Sequence, residues 1–332
     1  MRPKLKTSTV IMLLSMIVVA GSLIAATVGP YTIELPQLAA ALLGQGSDPT
    51  VDTVLFNVRL PRIAASLLVG AALAGAGTVY QGLFRNPLVS PDILGVSAGA
   101  GLGAAAGIFL SLPILAIQGL SFIGGLTTVA LVYLVARSVR GHEPGLVLVL
   151  SGVVIGALAG ACLSLLKILS DPYDQLPAIT FWLLGSLANV TPQELLSATP
   201  AVFAGLVPLV LLRWRMNLMA LGDEEAASLG LSPARLRLVF ICAATLMTAA
   251  VVTIAGVIGW VGLVMPHIAR LLVGPNFQRL LPAAMLLGAA YLLLVDTVAR
   301  NLGQAETPLG ILTAFVGGPV FLWLLTSGRR AW

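Results

Sequence analysis

The sequence predicts an all-α membrane protein that forms a single domain over residues 1–332 and crosses the bilayer about ten times. Only 9% of its residues are charged and the mean hydropathy is +1.02, whereas a soluble domain carries about 25% charged residues. The apolar residues also fall into ten blocks. Most blocks approach the roughly 20 residues that a spanning helix needs.

The expected spans cover 10–28, 60–83, 94–111, 113–136, 145–169, 195–212, 236–258, 261–273, 280–300 and 308–327. The eighth block is short for a full crossing. The first block follows a basic start and imitates a secretory signal, but its apolar run continues to Val28 without a clear small-residue cleavage site. We therefore expect an uncleaved first helix. Cys162 and Cys242 lie inside apolar blocks, and we expect them to be structural.

The distribution of positive charge predicts the orientation. Ten spans place both termini on one side of the membrane, and fourteen of the 18 basic residues fall on that side: Arg2, Lys4, Lys6, Arg85, Arg137, Arg140, Arg213, Arg215, Arg235, Arg237, Arg270, Arg279, Arg329 and Arg330. Because Lys and Arg collect in cytoplasmic loops, we expect both termini in the cytoplasm. The pI near 9.6 then reflects topology, and we expect no nucleic-acid partner.

Three of the remaining cations stand out on the outer side. Arg59 and Arg62 open the second span and flank Pro61, while Asp296 precedes Arg300 by four residues and shares its helix face. Two interpretations of the arginines stay open. They anchor helix ends by snorkelling, or they form a cationic outer rim that receives an acidic partner.

Glycines recur at four-residue spacing in two spans. They are Gly95, Gly99, Gly103 and Gly107 in the third span, and Gly152, Gly156 and Gly160 in the fifth. This spacing lets the backbone of a neighbouring helix approach closely; a smooth wall for a bulky solute is the alternative. The second and seventh spans both begin with Arg-Leu and end in Ala-Gly, which favours an inverted repeat.

Several chemistries are disfavoured by the sequence. Residues 95–99 match G-x-S-x-G, but they lie in a predicted membrane helix instead of the strand–turn–helix that a serine hydrolase needs. None of the three lysines follows a glycine, so no phosphate-binding loop is present. No carboxylate lies near the middle of a predicted span, where an ion-coupled carrier needs one. We expect no catalytic residue, metal or cofactor, and an external energy source.

The longest polar interruption, residues 217–237, separates the sixth and seventh spans. It carries an apolar side and an acidic helix start: Leu221, Ala227 and Leu229, and Asp223, Glu224 and Glu225. Gly230 fits a helix C-cap, and Ser232-Pro233 fits the start of a second short helix. Most connections are shorter than this one, so we favour a docking element with two short helices over a passive loop.

Motifs along the whole chain resemble the permease subunits of type II ABC importers for iron chelates, haem and cobalamin. They are RLPR at 59–62, GAALAGAG at 70–77, QGLFRNPLVSPDILGVSAGAG at 81–101, FWLLGSL at 181–187, ALGDEEAASLG at 220–230, GVIGWVGLVMPHIARLLVG at 256–274, LPAAMLLGAAYLLLVDTVAR at 281–300 and TPLGILTAFVGGPVFLWLL at 307–325. The resemblance implies a bacterial inner-membrane subunit. Its partners would be a second permease, identical or not, two cytoplasmic ATP-binding subunits, a periplasmic solute-binding protein and membrane lipid.

The resemblance also implies roles for individual residues. Arg59, Arg62 and Arg300 would meet acidic residues of the binding protein. The stretch Leu221, Gly222, Asp223, Glu224, Glu225 and Gly230 would form the coupling helix in the ATPase cleft, and Gly152, Gly156 and Gly160 would line the translocation path or pack helices. The expected cargo is a ferric siderophore or similar chelate, with haem or cobalamin as alternatives. An ion-driven carrier and a non-transporting scaffold are the competing classes.

Overall fold

A computed structural model describes residues 7–46, 48–139, 144–302 and 306–326. Those residues form helices joined by short connections, and no β-strand occurs among them. Six of the basic residues used to predict the orientation lie outside the described residues: Arg2, Lys4, Lys6, Arg140, Arg329 and Arg330. The all-α prediction is confirmed.

The α-helices are α1 Thr7–Thr27, α2 Leu35–Leu42, α3 Pro49–Asp52, α4 Leu60–Leu83, α5 Val96–Phe109, α6 Ile114–Ser138, α7 Pro144–Leu169, α8 Gln175–Leu184, α9 Pro192–Leu211, α10 Arg213–Met219, α11 Asp223–Ser228, α12 Pro233–Ala255, α13 Val261–Val273, α14 Phe277–Ala299 and α15 Leu309–Thr326. A π-helical segment, Thr53–Arg59, joins α3 to α4, and a 3₁₀ turn, Pro91–Leu94, precedes α5.

Seven described helical segments are long and apolar enough to cross a membrane. They are α1, the continuous segment Pro49–Leu83, α6, α7, α9, α12 and α14. The third, eighth and tenth predicted spans form the shorter helices α5, α13 and α15, of 14, 13 and 18 residues. The multi-pass class is confirmed, while the count of ten spans stays a prediction.

Helices α4 and α12 lie at the centre of the bundle. In the most apolar 18 residues of each of their spans, 78% of the residues are buried, compared with 22% in α1, α7 and α9. The Tyr80 hydroxyl lies 2.9 Å from Thr245 Oγ1 and joins the two helices. They are the same two spans whose ends look alike in sequence. The inverted repeat itself stays a prediction.

At several glycines the backbones of two neighbouring helices are in direct contact. A Cβ on Gly99 would lie 2.5 Å from the carbonyl oxygen of Gly124, and one on Gly103 would lie 2.1 Å from that of Leu120. Helix α5 therefore packs directly on the backbone of α6, as its glycine spacing predicts. Gly70 and Gly288 make the equivalent crossing between α4 and α14, where each Cβ would lie 2.2 Å from the other residue's carbonyl oxygen.

The bundle has two ends that carry different features. We call the end formed by α10, α11 and the start of α14 the handle end. The backbone N–H of Phe277, at the start of α14, donates to Asn217 of α10. Helix α14 has 23 residues and so spans about 34 Å at 1.5 Å per residue. It finishes beside the end of α1 and the start of α4, which we call the far end.

Candidate functional site

The handle, residues 213–231, consists of α10 and α11 with Gly222 between them. Its first helix is held by α14, because Asn217 Oδ1 accepts the Phe277 N–H at 2.7 Å. Its second helix is held by α12, because Arg237 Nη2 donates to both carboxylate oxygens of Asp223, at 2.7 and 2.9 Å. Two short helices are therefore tied separately to two helices that cross the bundle.

A Schellman motif ends α11. Gly230 has φ +81°, a left-handed conformation that glycine adopts without the Cβ penalty of other residues. Its N–H donates to the Ala227 carbonyl at 2.9 Å, and the N–H of Leu231 donates to the Ala226 carbonyl at 3.1 Å. This pattern satisfies carbonyls that the helix end leaves open, and it confirms the C-cap predicted at Gly230.

The prediction of a second short helix at Ser232-Pro233 is wrong. Pro233 is the first residue of the long helix α12. A backbone N–H at that position has no intrahelical acceptor, so proline costs the helix no hydrogen bond there. No glycine or proline follows before Ala255, so the helix continues across the bundle. The second short helix of the handle is instead α10, upstream of the acidic cluster.

The outer face of the handle combines apolar and acidic side chains. Leu221 and Leu229 are 58% and 57% exposed, and Glu224 and Glu225 are exposed between them. Only Ala226 of α11 is buried. The apolar side predicted here is therefore not used for packing within the chain and remains available to another surface. A cavity of about 530 Å³ lies beside it, bordered by α11 and the turn at Arg85.

The far end contains a buried ion-pair cluster around Asp296. Arg62 Nε donates to both Asp296 oxygens at 2.9 and 3.1 Å, and its Nη2 lies 2.8 Å from Oδ1. Its Nη1 lies 2.7 Å from Glu306 Oε1. Arg300 Nε lies 3.5 Å from Asp296 Oδ2, as the four-residue spacing predicts. The cluster thereby joins α4, α14 and the segment before α15.

Arg300 and a further arginine, Arg59, hold the end of α1. Arg59 Nη1 donates to the Ala26 carbonyl at 2.5 Å and Nη2 donates to the Tyr31 carbonyl, while Arg300 Nη2 donates to the Ala25 carbonyl at 3.3 Å. The last carbonyls of a helix lack intrahelical donors, and its C-terminal dipole favours cations. Arg59 and Arg300 make these contacts from buried positions, and both the snorkelling interpretation and the docking role of Arg59, Arg62 and Arg300 stay predictions.

The glycines of α7 differ in what they contact. A Cβ on Gly152 would lie 2.2 Å from the carbonyl oxygen of Ile93 in the 3₁₀ turn. One on Gly156 would lie 3.7 Å from Gly95 Cα, and one on Gly160 would meet nothing within 4 Å. Helix α7 is therefore closely packed at Gly152 and open at Gly160, and its role in a translocation path stays a prediction.

Two cavities open on the side of α8. The larger, about 680 Å³, is bordered by the acidic residues Asp174, Glu194 and Glu306, and none of the described residues that line it is Lys, Arg or His. We call it the acidic cavity. The second, about 620 Å³, runs between α8, Trp260 and α15 and has mainly apolar walls. Trp260 has φ +70° and packs against Gly317 and the ring of Phe321.

Some of these residues gave no signal in the sequence. Glu306 lies 244 positions from its partner Arg62, in a segment predicted only as a loop. Trp260 lies between Gly259 and Val261, and such a setting does not by itself identify a residue with positive φ. Among the described residues no group of three or more His, Cys, Asp or Glu side chains could hold a metal ion.

A multi-pass helical bundle with glycine-packed spans, open cavities on one side and an exposed two-helix handle has the construction of a membrane permease. Comparison with known families matches residues 16–327 to the FecCD transport family. The chain belongs to that family and is an ABC importer permease. The resemblance inferred from its motifs is thereby confirmed, and the protein is a transporter subunit instead of an enzyme.

Individual relatives match nearly the full chain. The molybdate import system permease protein MolB of Haemophilus influenzae is 41% identical over 322 residues, covering 96% of this chain and 95% of the relative. A probable iron chelatin transport system permease protein of Helicobacter pylori is 43% identical over 280 residues, covering 84% of both. A solved structure of a metal-chelate type ABC transporter in an inward-facing conformation has TM-score 0.89 and 40% identity, covering 96% of this chain and 99% of that one.

Proposed function

We propose that this chain is the permease subunit of an ATP-driven importer that moves an iron chelate from the periplasm to the cytoplasm. The observation that carries the proposal is the handle. It presents two exposed leucines and exposed carboxylates outward, while its inner contacts connect it to α12 and α14. A partner that moves the handle would therefore move helices that reach into and across the bundle.

The proposed motor is a pair of cytoplasmic ATP-binding subunits, one beneath each of two permease copies. Leu221 and Leu229 would seat in a groove of the ATP-binding subunit, and Glu224 and Glu225 would meet basic residues at its rim. Closure of the ATP-binding subunits on ATP would push α10 and α11. The Asp223–Arg237 pair would pass that displacement to α12, and the Asn217–Phe277 contact would pass it to α14.

The proposed docking partner at the far end is a periplasmic solute-binding protein with acidic residues on its contact surface. Arg62 is buried and already paired, so an incoming carboxylate must replace one of its present partners. Glu306 is the exchangeable partner, because its side chain is 40% exposed. The Glu306→Gln variant should therefore bind the binding protein more tightly than wild type at low salt. Unchanged or weaker binding would contradict the exchange.

The proposed cargo is an iron chelate, as in the transport system of the Helicobacter pylori relative. The walls of the acidic cavity support this choice. A bare oxyanion entering a cavity bordered by three carboxylates gains no compensating cation from its described lining, and burying an uncompensated charge is costly. A neutral or cationic chelate avoids that cost and presents an organic shell to the apolar parts of the wall.

Molybdate is the second candidate cargo, favoured by the 41% identity to the Haemophilus influenzae relative. Haem and cobalamin are further alternatives. The test is ATP hydrolysis by the permease in lipid nanodiscs with its ATP-binding subunits and its binding protein. The binding protein is loaded in turn with a ferric siderophore, haem, cobalamin or molybdate. We expect the ferric chelate to stimulate hydrolysis most; stimulation by molybdate alone would assign the cargo to the oxyanion.

A handle variant shows whether the stimulation passes through the proposed surface. Replacing both exposed leucines, Leu221→Asp with Leu229→Asp, should abolish the stimulated hydrolysis and the association with the ATP-binding subunits. Leu43→Asp is the matched control, because Leu43 is also an exposed leucine but lies at the far end. Normal stimulation in the double variant would contradict the handle assignment. No stimulation by any loaded binding protein in wild type would favour a scaffold.

A further inference from the structure

Asp92 is an acidic residue that lies in the sequence two positions before the third predicted span. In the structure it belongs to the 3₁₀ turn Pro91–Leu94, which precedes α5. Asp92 is exposed on the surface of the chain, and Ser97 Oγ donates a hydrogen bond to its Oδ1. None of the ion pairs found among the described residues includes Asp92. In that part of the chain its charge therefore has no paired cation.

The 3₁₀ turn lies at the depth of the middle of α4. A Cβ on Gly262 would lie 2.8 Å from Pro91 Cδ and 2.9 Å from the Leu73 carbonyl oxygen, so Pro91 and Leu73 lie at about the same level. Leu73 is about 20 Å from the start of α4 and about 15 Å from its end, at 1.5 Å per residue. Helix α7 gives a similar depth, since Ile93 lies against Gly152, about 12 Å along α7 from its start at the handle end. The hydrocarbon core of a bilayer is about 30 Å thick, so the turn lies well inside the membrane.

An exposed carboxylate at this depth indicates a surface that lipid does not cover. Ionisable residues inside a membrane face the interior of the assembly or a water-filled cavity, and they mark pathways of solutes and ions. The turn is also non-helical backbone, which is tolerated at membrane depth only where it is buried in protein or lines water. Both the charge of Asp92 and the backbone that carries it therefore favour contact with water.

The surface around Asp92 continues toward the second, mainly apolar cavity. Ser97 and Gly101 lie four residues apart on one face of α5, and a Cβ on Gly101 would lie 2.9 Å from Leu183 Cδ2. Leu183 lines that cavity together with Trp260. Asp92 and Ser97 thus supply a polar position next to walls that are mainly apolar.

We propose that Asp92 and Ser97 line a water-filled part of the translocation path, where the Asp92 carboxylate attracts cationic groups of the cargo and repels anions. The inference rests on the proposed function for the existence of the path and adds charge selection to it. Ser97 donates to only one of the two carboxylate oxygens, so acceptor sites stay open to water or to an N–H group of the cargo. A ferric chelate with a free ammonium group is therefore favoured here over one with several negative charges.

The test uses the Ser97→Cys variant of the importer in lipid nanodiscs, in a background that lacks Cys162 and Cys242. Methanethiosulfonate reagents with a fixed positive or a fixed negative charge modify thiols that water reaches, and their rates are measured with and without ATP. We expect the cationic reagent to modify Ser97→Cys. Adding Asp92→Asn should lower the ratio of the cationic to the anionic rate about tenfold, because a charge about 4 Å away acts on both ions even in water.

Ile17→Cys is the matched control for access, since Ile17 lies in the middle of α1 and is 55% exposed in the isolated chain. Lipid surrounds such a position, so neither reagent should modify it. Asp92→Glu is the control for charge, because it keeps the carboxylate and should keep the rate ratio. Ser97→Cys replaces a hydroxyl by a thiol of similar size, which leaves the fold intact while access is measured.

Two results would overturn the proposal. If Ser97→Cys is as unreactive as Ile17→Cys with and without ATP, protein or lipid covers this surface and no water-filled path passes it. If Asp92→Asn leaves the rate ratio unchanged, the carboxylate is compensated by a partner subunit and selects no ions. Labelling needs neither cargo nor ATP hydrolysis. The expected labelling without any chelate-stimulated hydrolysis would therefore support this site and contradict the proposed function.

Discussion

Asp296 accepts contacts from Arg62 and Arg300 at a position where its side chain has no exposure to solvent. Its carboxylate compensates two buried cations, and Arg300 in turn holds the end of α1. Breaking a buried ion pair by removing one partner costs about 3–5 kcal/mol, because it leaves uncompensated charge in the interior. Asp296 therefore stabilises the whole far end.

The Asp296→Asn variant should be strongly destabilised. We expect a loss of about 3–5 kcal/mol, because the amide keeps the shape of the side chain but not its charge. The measurement is the Tm of the purified permease in detergent, followed by circular dichroism. The drop should be accompanied by easier proteolysis near the end of α1.

Glu306→Gln is the matched control for this prediction. It also removes a carboxylate from Arg62, but at a side chain that is 40% exposed, where an ion pair contributes only about 0–1 kcal/mol. Its Tm should stay close to that of wild type. Equal losses in the two variants would show that burial of Asp296 does not decide its contribution.

Only part of this cluster could be predicted from the sequence. The Asp296–Arg300 pair is visible because four residues separate its members on one helix. Arg62 and Asp296 are 234 positions apart, and a single sequence carries no signal for such a contact. The predicted cationic rim likewise missed the burial of the arginines, because charge counting assigns a side of the membrane but not a degree of exposure.

At the scale of elements, helix positions follow the sequence closely where glycine, proline and charge mark their ends. The predicted span 60–83 coincides with α4, Leu60–Leu83, which begins at the Arg-Leu-Pro-Arg motif. The span predicted at 236–258 is found at Pro233–Ala255 instead. Its apolar run continues past Gly256, but that residue has φ +66° and ends the helix. A hydropathy pattern alone gives no signal for this change of backbone conformation.

Helix α7 provides a pair of substitutions with opposite expected effects. Gly152→Ala would place a Cβ 2.2 Å from the Ile93 carbonyl oxygen, so α7 or the 3₁₀ turn must move; overpacking of this kind costs about 1–3 kcal/mol. Gly160→Ala meets nothing within 4 Å in the isolated chain and gains helix propensity. We expect a lower Tm for the first variant and an unchanged or higher Tm for the second.

The contrary result for this helix would be equal tolerance of alanine at both positions, which would mean that α7 does not contact the 3₁₀ turn. A Gly160→Ala variant that is stable alone but fails to assemble with its partner permease would place Gly160 in the subunit contact. Size-exclusion chromatography of the assembled importer distinguishes these cases from simple misfolding.

The handle supplies a second prediction at the scale of elements. Arg237→Gln removes the ion pair to Asp223 that joins α11 to α12. The pair is partly exposed, so the Tm should change little. Transmission from the handle should nevertheless weaken, and solute-stimulated ATP hydrolysis should fall by up to about fivefold, the equivalent of ~1 kcal/mol.

Arg235→Gln is the control for that substitution, because Arg235 is exposed in the same turn of α12 and has the same charge. It should retain wild-type stimulation. If both variants lose activity to the same extent, the loss comes from net charge at the handle end and the Asp223–Arg237 pair has no specific role.

For the whole molecule, the asymmetry of charge predicts which end faces the cytoplasm. The prediction can be tested by single cysteines in a background that lacks Cys162 and Cys242. Glu224→Cys at the handle should react with a membrane-impermeant maleimide only after the membrane is disrupted. Asp171→Cys, exposed beyond the end of α7, should react in intact spheroplasts. The reverse pattern would invert the orientation and with it the assignment of the handle to an ATP-binding subunit.

The central claim about the whole molecule is that it forms a conduit whose work is supplied through the handle by ATP hydrolysis elsewhere. The most direct test is uptake of a radiolabelled ferric chelate into vesicles that contain the permease, with its binding protein outside and ATP inside. Uptake against a gradient should occur only when the ATP-binding subunits are present and should cease in the Leu221→Asp, Leu229→Asp variant. Concentrative uptake by the permease alone, without those subunits, would contradict the account.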